Sequence, residues 1–207
     1  MSPDTHGTGD NVFVRPTGAR SDRIHQAILN ATADLLDGGG FPATTVDAIA
    51  ARSGASKATI YKHWPSRTAV AAEAFGTMMA QALPLPDTGT TAADLTEQVV
   101  RVSAFYASAR GEVFAQLLAA CVDDPVGARY FREYFLDGRR AAITTLWQRG
   151  VTRGDADPGL EIDDVIDILF GPLIFRRMTG HYALTEQHAR QLAETALRGL
   201  LGPSPPD

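Results

Sequence analysis

The chain has 207 residues, enough for one large core or two small ones, and its 44% hydrophobic and 21% charged content is that of a water-soluble globular protein. Its net charge of −5 argues against a protein that binds nucleic acid over its whole surface, but the charge is split: residues 1–70 sum to +1 and residues 71–207 to −6. Cys121 is the only cysteine, which excludes an internal disulfide and fits a reducing cytoplasm. No signal-peptide pattern and no run near the ~18 apolar residues of a membrane span occurs, so a cytoplasmic protein with no membrane partner is expected.

Residues 1–21 are rich in Gly, Thr, Pro, Asp and Ser and read as a mobile arm, with Arg15, Arg20 and Arg23 along it and at its end. From Asp22 an apolar stripe of Ile24, Ala27, Ile28, Ala31, Leu35 and Leu36 predicts a first helix, which the Gly38-Gly39-Gly40 run ends. Thr44 or Thr45 caps the next helix, with Asp47 in its first turn, where a carboxylate opposes the helix dipole. Val46, Ile49 and Ala50 face inward at i, i+3, i+4 spacing, and Gly54 supplies the backbone freedom of a turn. Ser56 caps a short helix anchored by Ile60. Two helices that cross steeply need a small residue at their crossing and an aliphatic anchor beyond the turn, and Ala50, Gly54 and Ile60 meet that requirement.

From Ala48 to Ala72 there is no acidic residue, while Arg52, Lys57, Lys62, Arg67 and His63 fall inside, interleaved with Tyr61 and Trp64. A short cationic, aromatic helix suits the phosphates and base edges of a duplex groove. The alternative is a helical hairpin with a solvated basic face.

The stretch Thr44–Arg67 resembles the DNA-binding module of the tetracycline-repressor (TetR) family of transcriptional regulators. The resemblance rests on Thr45-Val46, Ile49-Ala50-Ala51-Arg52-Ser53-Gly54 and Ser56-Lys57-Ala58-Thr59-Ile60-Tyr61-Lys62-His63-Trp64-Pro65-Ser66-Arg67. The family usually has Phe at Trp64 and Lys at Arg67. The likeness covers about the first third of the chain in detail and beyond that rests on length and helical layout.

Ser66 caps a fourth helix, whose stripe of Val70, Ala71, Ala74, Phe75, Met78, Met79 and Leu83 carries it to Pro84 as a connector. After a loop, helices follow from Ala92, with Leu95, Val99, Val102, Phe105 and Tyr106 inward and a break near Gly111. Asp123-Asp124-Pro125 opens a long helix through Tyr130, Phe131, Tyr134 and Phe135 to Trp147, stopping near Gly150 or Gly154. The loop Asp155–Glu161 has the carboxylates of a calcium site but lacks its glycine and its bidentate glutamate, and a helix-capping loop is the simpler reading. Two last helices run over Ile162–His181 and Thr185–Leu201. The chain is therefore all-α, about nine helices: a three-helix helix-turn-helix domain over 22–67, a connecting helix over 68–84, a larger ligand-binding and dimerisation domain over 85–202, and a tail over 203–207.

No nucleophile has a base beside it and the histidines lack metal spacing, so neither enzyme activity nor a cofactor is expected. Lys57, Ala58, Thr59 and Lys62 are expected to face bases, and Thr45, Tyr61, His63 and Arg67 to hold phosphates. The helix Ile162–His181 is apolar on two faces, with Pro172 expected to kink it, and the last helix is apolar on one. Paired with a second copy they would make a four-helix interface through Ile166, Phe170, Leu192 and Leu197, an arrangement the family resemblance also implies. The aromatic middle helices carry more hydroxyls than a sealed core wants. This makes Phe105, Tyr106, Tyr134, Phe175 and Arg176 the candidate walls of a small-molecule effector site, with core packing the alternative for each. The resemblance implies a homodimeric repressor released from a palindromic duplex operator by a ligand. Control by a protein partner, or a ligand carrier with no DNA role, are the competing readings.

Overall fold

A computed structural model describes residues 18–80 and 84–200, and these are helical with no strand among them. The first helix, α1 (Ala19–Ala43), begins three residues before the expected start, so Arg20 and Arg23 lie exposed on its opening turns; Arg15 lies outside the described residues. Its end also differs from expectation. Gly38 and Gly39 stay helical, and the break comes at Gly40, which takes φ 68°. The reason lies far along the chain: the Phe41 amide freed by that break donates to Oε1 of Gln116, 2.8 Å away. A Cβ on Gly40 would come within 2.6 Å of the same oxygen.

Three helices follow at the expected places: α2 (Val46–Ser53), α3 (Lys57–His63) and α4 (Arg67–Met78). Thr45, Ser56 and Ser66 each accept a hydrogen bond from the amide three residues on, which satisfies an otherwise orphaned donor at each N-terminus. The helix α4 is shorter than the 68–84 connector, ending at Met78, and residues 81–83 of that span lie outside the described residues. Every residue from Thr68 to Gly76 is buried, as befits a strut enclosed on all sides. It packs against α1 on one side and, on the other, against the second and third of the four middle helices.

Those are α5 (Thr91–Ala107), α6 (Ala109–Asp123), α7 (Pro125–Phe131) and α8 (Asp137–Arg153). The break between α5 and α6 falls at Ser108. Gly111 sits just inside α6, where a Cβ would meet the carbonyl oxygen of Tyr106 at 2.3 Å. One turn of π-helix, Arg132–Leu136, joins α7 to α8 into a single run, so the expected long helix is present with one wider turn inside it. Asp155 caps α5 from the acidic loop: its carboxylate accepts from the Thr91 amide at 2.8 Å and from the Thr91 hydroxyl at 2.5 Å. Beside it, burial pushes the Asp94 carboxyl up, but the Thr88 amide and hydroxyl and the Arg153 guanidinium outweigh this and hold it below the usual carboxylate range.

The last two helices are α9 (Ile162–Thr179), which runs on through Pro172, and α10 (Glu186–Leu200), both packed on α5. The expected tail, 203–207, lies outside the described residues. Among the described residues no helix is long and apolar enough to cross a membrane.

Candidate nucleic-acid interface

The turn between α2 and α3 has the required geometry. Gly54 takes a left-handed conformation, φ 71°, and its amide donates to the Ala50 carbonyl. Ile49 and Ile60 are almost completely buried on either side, which pins α3 across α2. The opposite face is left to solvent: Lys57, Ala58, Tyr61 and Lys62 are exposed on α3, and Thr45 is exposed at the start of α2. Thr59 is half-buried, and its hydroxyl lies 2.8 Å from that of Ser56, the cap of its own helix. Two cations are held inside the module, Lys57 by Asp47 of α2 and Arg52 by Asp34 of α1, and both pairs are largely exposed. Such pairs contribute little to stability and are open to exchange with phosphates.

Two of the eight expected DNA contacts point elsewhere. His63 is 3% exposed, with its ring 5.5 Å from those of His25 and Trp64. Ile60, His63 and Trp64 stand at i, i+3, i+4 and so share the inward face of the chain at this point. Arg67 donates from Nη2 to the Phe41 carbonyl at 2.7 Å and stacks on the Phe41 ring at 3.9 Å. Burial lowers its pKa. It ties the start of α4 to the end of α1, and a guanidinium in that place is a structural clasp.

One constellation was not foreseen. Glu73 of α4, 5% exposed, accepts the indole N–H of Trp64 at 2.6 Å and lies 2.8 Å from His25 Nε2. The sequence did carry a trace of it, because Glu73 is the only acidic residue between Asp47 and Asp87.

The expected effector residues do not converge. Phe105 and Tyr106 belong to a ring cluster with Phe114, Phe131 and Phe135, whose neighbouring centroids lie 4.7–6.3 Å apart. Tyr106 is buried, and that burial raises its hydroxyl pKa well above the ordinary phenol value, against a smaller pull from Arg139. Tyr134 stands outside the cluster, 37% exposed and stacked on Tyr130. Phe175 is 62% exposed near the end of α9, against His181, and Arg176 lies over the Tyr182 ring at 4.7 Å. Arg176 lines an open groove of about 400 Å³ together with Leu192.

The expected dimer contacts are mostly spent within the chain. Ile166, Phe170 and Leu197 are 5–7% exposed in its own core, and Leu192 is half-buried against that core. The outward face of α9 is instead Ile168, Phe175 and Met178, each more than 40% exposed. A helix apolar on two faces does not announce which face its own core will take, and here the core took the Ile166–Phe170 side.

A two-turn helix held across a second by a glycine turn, with a cationic outer face, on a larger all-helical body, defines a helix-turn-helix regulator of transcription. Comparison with known proteins places it further. Residues 28–74 match the model of the bacterial regulatory proteins of the tetR family, and residues 85–196 match the tetracyclin repressor-like C-terminal domain. YdeS of Bacillus subtilis (strain 168), an HTH-type transcriptional regulator, is 34% identical over 87% of this chain and 91% of its own length. The crystal structure of the TetR family transcription regulator SCO0332 superposes with a TM-score of 0.72 at 26% identity, over 88% of this chain and all of that one. The fold is shared with FadR of Bacillus subtilis, solved in complex with stearoyl-CoA, at a TM-score of 0.58 and 17% identity, over 85% of this chain and 99% of that one. The chain belongs to the TetR family and is a DNA-binding transcriptional regulator.

Proposed function

We propose that the protein is a homodimeric repressor that holds a near-palindromic operator through two copies of α3 and releases it when a small, largely apolar ligand enters the C-terminal half. The observation that carries the DNA part is the exposed face of α3, where Lys57, Ala58, Tyr61 and Lys62 stand clear of a buried Ile60. In this reading Lys57, Ala58, Thr59 and Lys62 face base edges, while Thr45 and Tyr61 hold phosphates. The outward stripe Ile168, Phe175 and Met178 supports pairing of two chains through α9, since a soluble monomer rarely leaves three large apolar side chains of one helix in water. Two such chains would place their reading helices about one duplex turn, ~34 Å, or more apart.

The ligand enters by analogy of fold and by chemistry. FadR's complex shows that this architecture holds an acyl-CoA in that protein. In this chain the ring cluster around Phe105 and Tyr106 is apolar and carries one buried hydroxyl, so a ligand that opens it would itself be mostly apolar. Residues 22–67, 68–84 and 85–202 are accordingly the DNA-reading, connecting and regulatory parts, and the protein acts in the cytoplasm without catalysing a reaction. The test is selection of a duplex from a randomised library by the purified protein, followed by sedimentation with and without that duplex. Recovery of a near-palindromic sequence bound by two chains supports the reading, and recovery of none contradicts it.

A further inference from the structure

Among the described residues, the interior around α1–α4 contains one buried carboxylate, and side chains from α1, α4 and the end of α3 meet on it. Glu73 lies on α4, and the indole N–H that donates to its Oε2 at 2.6 Å belongs to Trp64, the residue immediately after α3. Its Oε1 lies 2.8 Å from Nε2 of His25 on α1. Trp64 is fully buried and stacks on His25, with ring centroids 4.3 Å apart and planes 20° from parallel. Keeping a carboxylate in such a place is costly, and apolar side chains of similar size would hold the helices together at less expense. What the carboxylate adds is direction. An apolar contact tolerates sliding and rotation, whereas a hydrogen bond weakens steeply as its angle opens.

The neighbouring turn of α4 makes the position informative. At Gly76 a Cβ would stand 2.3 Å from the carbonyl oxygen of Tyr134 in the π turn, and Phe75 packs on Phe135 at 5.1 Å. Within one turn α4 therefore carries its polar joint to the end of α3 and a close backbone approach to the C-terminal half.

We propose that Glu73 is a positioning residue for operator reading: through the Trp64 indole it fixes the tilt of α3 against α4, and so the register of the base-facing side chains. The proposal rests on α3 being the operator-reading helix. Glu73 is buried and touches no DNA, so its effect falls on discrimination between sequences. Phosphate contacts, made by long flexible side chains, survive a small tilt, while paired hydrogen bonds to base edges do not.

The experiment compares the wild-type chain with Glu73→Gln and with Trp64→Phe, using the duplex that the wild type selects from a randomised library and a scrambled duplex of equal length. Urea unfolding and the indole N–H resonances of Trp64 and Trp147 are recorded alongside. Glu73→Gln keeps an oxygen for the indole but removes its charge, so the Trp64 resonance moves upfield and that of Trp147 stays. Affinity for the selected duplex falls about tenfold, the worth of a charge-assisted hydrogen bond, and affinity for the scrambled duplex is unchanged. Trp64→Phe removes the donor together with part of a buried ring, so it gives the same selective loss beside a larger loss of stability. Combining the two costs less selected-duplex affinity than the sum of the single losses, because the indole bond is common to both. Equal losses on both duplexes, or losses that track stability, overturn the role. So does a shifted Trp64 resonance with no change in selected-duplex affinity. A wild-type chain that selects no duplex overturns the operator reading and this role together; one that does, with both variants unchanged, overturns the role alone.

Discussion

The two halves of the molecule fill their interiors by different means. Around α1–α4 the centre includes a polar joint, His25, Glu73 and Trp64, whose bonds hold only at particular angles. Around α5–α8 the centre includes a cluster of rings, Phe105, Tyr106, Phe114, Phe131 and Phe135, in edge, tilted and stacked contacts that many arrangements of similar volume can satisfy, while the buried Asp94 carboxylate is bonded at the opposite end of α5. A two-turn helix that must present side chains to base edges needs the first kind of interior. The ligand-accepting role proposed for the other half would be served by the second, because rings can be displaced without leaving a hydrogen bond unmet.

The largest effect expected is on the ring cluster. Phe114→Ala removes the ring that touches four others and should cost ~3–5 kcal/mol in urea unfolding. A loss below ~1 kcal/mol would show that the cluster is already loose, with room for a ligand before any arrives.

The next contrast lies on one side of the molecule and separates outer from inner faces. If two chains pair through α9 as proposed, Phe175→Glu should leave the protein monomeric in sedimentation while the unfolding midpoint of the chain itself stays nearly unchanged, since Phe175 is 62% exposed. Leu197→Glu buries a charge and should destabilise the fold outright. A Phe175→Glu protein that remains dimeric would place the interface away from α9.

Smaller effects sharpen the DNA-reading side. Arg67→Ala should lower stability by ~1–3 kcal/mol, through the lost bond to the Phe41 carbonyl and the lost stacking on its ring, and leave the salt slope of duplex binding alone. A slope reduced by ~0.9 would instead return Arg67 to the phosphates. Smallest is Tyr61→Phe, which removes one exposed hydroxyl. Stability should stay within ~0.5 kcal/mol, while binding weakens alike for selected and scrambled duplexes.

Features decided within a few residues were legible in the sequence. The caps at Thr45, Ser56 and Ser66, the glycine turn at Gly54 and the anchor Ile60 all stand where local chemistry put them. Features decided by distant partners were not. Gly40 rather than Gly38 breaks α1 because Gln116 waits for the Phe41 amide, and the half-buried Arg67 turns to that same residue because it offers a carbonyl and a ring. His63 was legible: its spacing from Ile60 puts it on the inner face, although the cations around it in sequence stand on the outer one. Glu73, alone in an apolar helix, was the clue to the polar joint, and only the fold shows that Trp64 and His25 face it.

The most direct measurement is the salt dependence of binding to the selected duplex. Two copies of the α3 face would bring Lys62 and Lys57 into the groove, and cations there displace condensed counterions even where their hydrogen bonds go to bases, so the log–log slope should be steeper than about −2, at ~0.9 per phosphate charge neutralised. An affinity that stays flat as salt rises would mean that the basic face of the hairpin meets no phosphate, and the account of this chain as an operator-reading protein would be wrong.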